Sequence, residues 1–132
     1  MSAIKQPTDS CTRLETLKEA IRRFVAERAW EKYHTPKNLA VSVAVEAGEL
    51  LEIYQWAQGA SPTDISRTSA QYEQTVEELA DVFIYCLMLA MSLDIDVTTA
   101  VLSKIDANRT KYPASDVTGM YRRPSENKDR GA

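Results

Sequence analysis

Apolar residues recur at helical spacing along most of this chain, and the apolar–polar alternation that is typical of strands is scarce. Four helices are predicted: from about Thr12 to Tyr33, from Pro36 to Gln58, from Ala70 to Leu93, and from an N-cap at Asp96 to about Lys111. Thr35 before Pro36 is typical of an N-cap and first turn, and Gly59 is the expected stop of the second helix. The pattern therefore predicts an all-α fold.

The third predicted helix is apolar on every side from Val82 to Met91. A helix of that kind is typical of a bundle interior or of an interface between subunits. Because one chain of four helices offers too few neighbours to cover it, we expect a four-helix bundle that assembles into a homo-oligomer. Asp81 stands at the start of this apolar run, where a charge is poorly solvated unless it is paired.

Composition is that of an ordinary globular protein, with 132 residues, 44% hydrophobic and 27% charged. We expect a flexible N-terminus over residues 1–11, a helical domain over residues 12–113 and a polar flexible tail over residues 114–132. The net charge of −3 and the lack of a long basic run argue against a nucleic-acid partner. The apolar runs are too short to span a membrane, and Cys86 is expected to be a small core residue, so a cytoplasmic location is expected.

Two pairs of carboxylates stand out, Glu46 with Glu49 and Glu78 with Asp81. Each pair is spaced i, i+3, so that on a helix both side chains project from one face. Two like charges 4 Å apart repel by about 1 kcal/mol in water and by about 4 kcal/mol at an effective dielectric of 20. One such pair is usually part of a solvated surface. Two pairs on consecutive apolar helices also fit a metal site, whose all-oxygen ligands favour Mg²⁺, Mn²⁺ or Ca²⁺.

The fourth predicted helix begins apolar and becomes polar and basic at its far end, where Lys104, Asn108 and Lys111 share one face. Taken alone, such a face is usually solvated. Opposite carboxylates that hold a divalent cation, it would suit a polyphosphate instead. The residues alone leave both interpretations open.

Three aromatic residues, Trp30, Trp56 and Tyr85, are either core residues or a platform on which a base could stack. His34, the only histidine, stands at a helix break, where a packing or capping role is expected rather than that of a general base. Because the chain has no evident Ser/His/Asp set and no glycine-rich phosphate loop, hydrolysis would have to rely on metal-activated water.

Four segments together resemble the MazG-like, all-α nucleoside triphosphate pyrophosphohydrolases, and most of all their dCTP pyrophosphatase branch. The segments are W-E-K-Y-H-T-P-K-N-L, E-A-G-E-L-L-E-I-Y-Q-W, E-E-L-A-D-V-F-I-Y and K-I-D-A-N-R-T-K-Y-P. The resemblance runs from about Phe24 to Pro113, and its most specific part is E-x-x-E followed by E-x-x-D on the next long helix. One departure is Ile21, which stands where a histidine near the base is expected in the vertebrate-like members.

The resemblance implies a helical bundle that forms dimers or tetramers. It also implies cleavage of a nucleoside triphosphate, dCTP or a related pyrimidine, to the monophosphate and pyrophosphate with Mg²⁺, for which Mn²⁺ could substitute. Carried over, the metal ligands are Glu46, Glu49, Glu78 and Asp81, the phosphate contacts are Lys104 and Asn108, and the base and sugar contacts are Trp30, Trp56 and Tyr85. Glu49 is the candidate for orienting the attacking water. The expected role is cleansing of the nucleotide pool.

Two other functions fit parts of the pattern. The chain could be a non-catalytic helical oligomerisation module whose carboxylates form salt bridges. It could also be a di-iron carboxylate bundle, but that class uses Glu-x-x-His pairs, which this sequence lacks.

Overall fold

The computed structural model describes residues 6–56 and 65–119, and within these two ranges the chain forms helices and no strand. The helices are α1 (Leu14–Ala26), α2 (Pro36–Tyr54), α3 (Ala70–Ser92), α4 (Val97–Lys111) and α5 (Ala114–Val117), with a 3₁₀ turn at Glu31–Tyr33 between α1 and α2. The prediction of an all-α fold is confirmed.

The starts of α2, α3 and α4 are capped by side chains. Thr35, Ser69 and Asp96 each accept a hydrogen bond from the backbone N–H three residues further on, at 3.2, 3.1 and 2.8 Å. These caps satisfy N–H groups that have no partner inside the helix, and they explain why the predicted starts agree with the structure. Helix α2 ends at Tyr54, before the predicted Gln58, and Gly59 lies outside the described residues.

The first predicted helix is too long, because α1 ends at Ala26 rather than at Tyr33. Ala29 adopts the left-handed conformation, with φ of 50°, and its N–H donates to the Ala26 carbonyl at 3.0 Å. The Trp30 N–H donates to the Val25 carbonyl at 3.2 Å. This pair of bonds is the Schellman motif that closes many helices. The sequence prediction missed it because the motif usually carries glycine at the position that Ala29 occupies.

The described chain divides into two compact units, one up to Asp94 and one from Ile95 onward. In the first unit α2 packs along α3, and α1 contacts α3 as well. Its core is a cluster of buried residues with partly buried ones packed against it: Val25, Leu39 and Met88, surrounded by Ile21, Tyr85, Leu89 and Met91. Burying each large side chain of this kind stabilises the fold by about 1.5–3 kcal/mol.

Hydrogen bonds join α2 and α3 near the end of α2. The Tyr54 hydroxyl lies 2.6 Å from the Thr75 hydroxyl, which in turn donates to the Gln71 carbonyl at 2.7 Å. The Gln71 amide donates to the Ile53 carbonyl at 3.4 Å. These contacts set the register of the two helices and so decide which of their side chains meet.

Much of the apolar surface of α2 and α3 stays exposed in the single chain. Phe83 is 60% exposed and Val41 is 54% exposed, and Val45, Val76 and Leu79 are exposed as well. Cys86, which the sequence predicted to be a core residue, is also exposed, so that prediction is wrong for the single chain. Helix α3 is apolar on every side from Val82 to Met91, but α1 and α2 cover only part of it.

The second unit contains α4 and the short α5. All residues of α4 after Val97 are exposed in the chain. Arg109 and Asp106 form an ion pair at 2.8 Å on its surface. Helix α5 follows Pro113, where the sequence predicts the start of a polar tail, and residues 120–132 lie outside the described part.

None of the described helices is by itself long and apolar enough to cross a membrane.

A carboxylate cluster beside an apolar cavity

Three carboxylates from two helices converge in the first unit. Glu46 and Glu49 come from α2 and Glu78 comes from α3, and one oxygen of each lies within 4.8 Å of the others. The i, i+3 spacing places the first two on one face of α2, and the packing of α2 along α3 brings Glu78 to them. Glu46 and Glu78 are half-buried, whereas Glu49 is exposed. We call these three residues the carboxylate cluster.

Ionisation of the half-buried members of the carboxylate cluster is unfavourable. Burial, followed by the neighbouring Glu49 carboxylate and then by Asp81 and Glu78, raises the pKa of Glu46 above its ordinary value. Burial and then the charges of Glu49 and Asp81 raise the pKa of Glu78 in the same direction. The two half-buried carboxyls therefore favour a proton or a cation.

The surroundings supply no compensating cation within the described residues. The acidic partners of the ion pairs found there are Glu15, Glu19, Glu27 and Asp106, all outside the cluster. Glu78 Oε2 has essentially no solvent access and no hydrogen-bond partner among these residues. An orphaned, buried carboxylate oxygen beside two further carboxylates fits a hard divalent cation such as Mg²⁺ or Mn²⁺, which prefers oxygen ligands.

Asp81 lies apart from the tight group of three but close enough for its charge to raise the pKa of both half-buried glutamates. It also lines an apolar cavity. Asp81 therefore stands where the carboxylate cluster and the cavity meet.

The cavity is formed by α1, α3 and the segment between α1 and α2, and its volume is about 440 Å³. Its lining is mainly apolar and aromatic: Ala20, Ile21, Phe24, Val25, Trp30, His34, Asp81, Ile84, Tyr85 and Met88. That volume lies within the range of small-molecule sites. The predicted contacts Trp30 and Tyr85 are both in the lining, so the structure brings them together beside the carboxylates.

One wall of the cavity is held by an aromatic and cationic stack. The rings of Phe24 and Trp30 meet edge to face with centroids 5.8 Å apart. The Arg28 guanidinium lies 3.7 Å from the Phe24 ring centroid and donates to the Phe24 carbonyl at 2.9 Å. The Schellman turn at Ala29 aims Trp30 back onto the end of α1. Sequence reasoning missed Phe24 and Arg28, although F-x-x-x-R at a helix end followed by Trp is a readable signal.

A second, more open cavity of about 420 Å³ adjoins the carboxylate cluster. It is lined by Glu49, Glu52, Ile53, Gln74 and Glu78. Two cluster residues thus face this polar cavity, while Asp81 faces the apolar one. The cluster can be approached by a polar group from one side and by an apolar group from the other.

Three other predicted site residues have exposed side chains. Trp56 follows α2 and is 86% exposed, outside the described cavity linings. Lys104 and Asn108 are exposed on one face of α4 in the second unit. Their contacts with phosphate stay a prediction.

The chain is similar to several known proteins. Residues 41–123 match the model of the MazG-like family, a stretch that contains both carboxylate pairs. A dCTP pyrophosphatase 1 from Homo sapiens is 38% identical over 113 residues, covering 86% of this chain and 66% of that protein. The rat protein of the same name is 40% identical over 100 residues, covering 76% of this chain and 59% of that protein.

The chain thus spans less than two-thirds of the length of these relatives. Among solved structures, a pyrophosphatase from Archaeoglobus fulgidus DSM 4304 is 43% identical with a TM-score of 0.69, covering 76% of this chain and 92% of that one. The family match includes Glu46, Glu49 and Glu78, the residues of the carboxylate cluster. The chain therefore belongs to the MazG-like family, beside its dCTP pyrophosphatases.

Proposed function

We propose that the protein hydrolyses a (deoxy)nucleoside triphosphate, dCTP or a related pyrimidine deoxynucleotide, to the monophosphate and pyrophosphate. The observation that carries this proposal is the convergence of Glu46, Glu49 and Glu78 beside an apolar, aromatic cavity. Relatives named dCTP pyrophosphatase support the substrate class. The proposed role is cleansing of the nucleotide pool, with neither nucleic acid nor a membrane as partner.

Mg²⁺ is the proposed cofactor, with Mn²⁺ as a substitute, and its proposed ligands are the carboxylate cluster and Asp81. When bound, such a cation activates water and neutralises charge that develops on phosphate oxygens. The orphaned Oε2 of Glu78 supports this ligand set, because it lacks any partner among the described residues.

Glu49 is proposed to orient the attacking water and accept its proton. It is the exposed member of the carboxylate cluster, so water can reach it while one of its oxygens lies within 4.8 Å of the two half-buried glutamates. A carboxylate within hydrogen-bond reach of the water is what general base catalysis requires. The water oxygen forms a bond to the α-phosphorus. The bond from that phosphorus to the oxygen bridging it to the β-phosphorus breaks, and pyrophosphate leaves.

Trp30 and Tyr85 are proposed to hold the base and sugar, since both line the apolar cavity next to Asp81. Stacking of a base on an aromatic side chain contributes about 1–3 kcal/mol. Trp56 is proposed to join them, and Lys104 with Asn108 to contact the phosphates. The exposure of these three side chains leaves them available to a ligand or to a second subunit.

The protein is also proposed to be a homo-oligomer, a dimer or a tetramer. Exposed apolar residues on both α2 and α3, such as Val41 and Phe83, support this, because soluble monomers rarely leave large contiguous apolar surfaces in water. A subunit packed on α2 and α3 would cover the carboxylate-bearing helices from outside and exclude bulk water from them.

The deciding experiment is pyrophosphate release from a panel of ribo- and deoxyribonucleoside triphosphates, with Mg²⁺, with Mn²⁺ and with a chelator. We expect release that requires the cation and is faster with pyrimidine deoxynucleoside triphosphates than with the other triphosphates. The corresponding diphosphates and monophosphates, tested beside them, should be poor substrates. If no triphosphate releases pyrophosphate and Mg²⁺ does not change the melting temperature, the protein is an oligomerisation module instead. Equal kcat/KM for purines and pyrimidines would remove the base preference. Bound iron in the purified protein would point to a di-iron bundle instead.

A further inference from the structure

A directional chain of hydrogen bonds crosses from α2 to α3. The Thr75 hydroxyl donates its single proton to the Gln71 carbonyl at 2.7 Å, so in its contact with Tyr54, at 2.6 Å, it can only accept. The Tyr54 hydroxyl is therefore the donor of the bond between the helices. All three residues are half-buried, and hydrogen bonds in series polarise and strengthen one another where water is partly excluded.

A second hydrogen bond joins the same two helices beside the first. The Gln71 side-chain amide donates to the Ile53 carbonyl at 3.4 Å. That carbonyl lies in the last turn of α2, where carbonyls have no partner within the helix. Among the described residues, and apart from contacts of the carboxylates with one another, no other hydrogen bond or ion pair links α2 with α3.

These bonds lie one helical turn away from the carboxylate cluster. Thr75 precedes Glu78 by three residues on α3, and Ile53 follows Glu49 by four residues on α2, which are the spacings of neighbours on one helix face. Ile53, Glu49 and Glu78 also line the same open cavity. The hydrogen-bonded end of the helix pair is thus continuous with the part that carries the carboxylates.

The carboxylate cluster needs such support because its charges push the two helices apart. The charge of Glu49 on α2 opposes the ionisation of Glu78 on α3, which is a repulsion across the contact between the helices. Apolar burial is not directional and fixes the register of two helices less sharply than a hydrogen bond does. Mg²⁺ tolerates little departure from octahedral geometry with oxygens at about 2.1 Å, so a small slip between the helices would separate its ligands.

We propose that Tyr54 and Thr75 are positioning residues of the metal site: the hydrogen bond between their hydroxyls keeps α2 and α3 in the register that lets Glu49 and Glu78 share one divalent cation. Neither residue is a proposed ligand of the cation, and both act through the helices that carry the ligands. The inference rests on the proposed function, which assigns the cation to these carboxylates. Residues that hold ligands in place change metal affinity without contact with the metal.

The test measures cation affinity without nucleotide and without turnover. Free Mn²⁺ is counted by electron paramagnetic resonance while it is titrated into the 132-residue chain, at a temperature where circular dichroism shows every variant to be folded. We expect Tyr54→Phe and Thr75→Val each to raise the Kd for Mn²⁺ about three- to tenfold, the effect of losing one hydrogen bond. Both substitutions keep the shape of the side chain almost unchanged.

Two matched controls remove a hydroxyl elsewhere. Tyr72→Phe acts on the same helix α3, and Tyr72 is not part of the open cavity beside the carboxylates. Thr110→Val removes a hydroxyl that donates to the carbonyl four residues before it, as Thr75 does, but within α4. The Kd for Mn²⁺ should not change in either control. Thr75→Ser, which keeps the donor and the acceptor, should bind Mn²⁺ nearly as the wild type does.

The double variant Tyr54→Phe, Thr75→Val tests whether the two residues act as one unit. Because both single substitutions break the same bond, the double variant should lose no more Mn²⁺ affinity than either single one. Losses that multiply would overturn the proposal, as would folded single variants that bind Mn²⁺ like the wild type. A merely structural role would lower the melting temperature of the variants and leave the Kd for Mn²⁺ unchanged.

The outcomes separate this inference from the proposed hydrolysis. If the two variants lose Mn²⁺ affinity but the wild type cleaves no triphosphate, the positioning role holds and the hydrolysis is refuted. If triphosphates are cleaved while the folded variants keep wild-type affinity, the hydrolysis stands and the positioning role is wrong. A wild type that binds no Mn²⁺ overturns the role, because there is then no cation site to position. If Thr75→Val does not fold, the comparison of Tyr54→Phe with Tyr72→Phe decides.

Discussion

At the scale of single residues, the carboxylate cluster concentrates negative charge without a nearby lysine or arginine partner in the described chain. Burial and mutual repulsion both act against ionisation of Glu46 and Glu78. Repulsion of this kind lowers the stability of the metal-free fold and strengthens the attraction of a cation. The same charges therefore link metal binding, stability and activity.

The first prediction is that Glu49→Gln and Asp81→Asn each abolish turnover while the helical circular dichroism is retained. Each substitution is nearly isosteric and removes one charge that raises the pKa of Glu46 and Glu78. The metal-free variants should therefore be at least as stable as the wild type. Glu77→Gln, on exposed surface of the same helix, is the control and should keep its activity. A variant that retains more than about a tenth of the wild-type rate removes its residue from the metal or water site.

The second prediction concerns pH. Because the folded state raises the pKa of Glu46 and Glu78 above the ordinary value of 4.5, it binds their protons more tightly than the unfolded state does. Their contribution to stability is full below that value and is lost as the pH rises through the raised pKa. Arg22 lowers the pKa of Glu15, so the stability that Glu15 contributes is lost as the pH falls. That opposite effect is confined to pH values below 4.5.

Denaturant unfolding of the chelator-treated protein measures how the free energy of unfolding changes with pH. Between neutral pH and about pH 5, the two glutamates should make the free energy of unfolding rise as the pH falls. A Glu46→Gln, Glu78→Gln double variant should lack that rise, and saturating Mg²⁺ should abolish it because the cation favours the ionised form. A wild-type curve that matches the double variant at every pH would contradict the assignment.

At the scale of elements, the end of α1 determines one wall of the apolar cavity. A left-handed conformation costs a residue with a side chain roughly 1–2 kcal/mol relative to glycine, yet Ala29 adopts it with φ of 50°. The Schellman turn that follows places Trp30 against Phe24. The strain at Ala29 is therefore linked to the position of an aromatic residue that lines the cavity.

The third prediction is that Ala29→Gly stabilises the protein, by about 0.5–1 kcal/mol once the greater entropy of glycine in the unfolded chain is subtracted. Ala20→Gly, inside α1, is the control and should destabilise the protein by about 0.5–1 kcal/mol. The melting temperatures of both variants, compared with that of the wild type, test this prediction. If both glycines destabilise equally, Ala29 is not strained in solution.

The predicted phosphate contacts of α4 lie in the second compact unit of the chain. The fourth prediction is that Lys104→Ala raises KM for the triphosphate, or lowers kcat if the contact strengthens in the transition state. Arg109→Ala is the control, because its guanidinium is already paired with Asp106 at 2.8 Å. Steady-state kinetics that show equal effects of the two substitutions would make the basic face of α4 a solvated surface.

At the scale of the whole molecule, the single chain has a small core and many exposed apolar side chains. Among the described residues five hydrophobic ones are buried, whereas Phe83 is 60% exposed and Leu51 is 65% exposed. Oligomerisation would cover part of that surface and add hydrophobic stabilisation that the small core cannot supply.

The fifth prediction is that light scattering finds a dimer or tetramer at micromolar concentration, and that Phe83→Glu shifts the protein toward smaller species. A buried charge without a partner is costly, so a glutamate at an interface position opposes association. Phe83→Leu, which keeps the surface apolar, should remain associated. A wild-type protein that stays monomeric and stable at this concentration would contradict the proposed oligomer.

The features that could be predicted from the amino-acid sequence are local ones. The apolar periodicity and the caps at Thr35 and Asp96 were enough to predict α2, α3 and α4 closely, because caps and periodicity act within a few residues of one another. The i, i+3 spacing likewise identified the carboxylate pairs. The end of α1 escaped prediction because an alanine took the conformation that normally signals glycine.

Which of these local features meet depends on how the helices pack. Packing of α2 along α3 joins Glu78 to Glu46 and Glu49 and leaves Asp81 on the side of the apolar cavity. Spacing along one helix cannot specify such contacts, since they depend on the register between helices and on the hydrophobic burial that sets it.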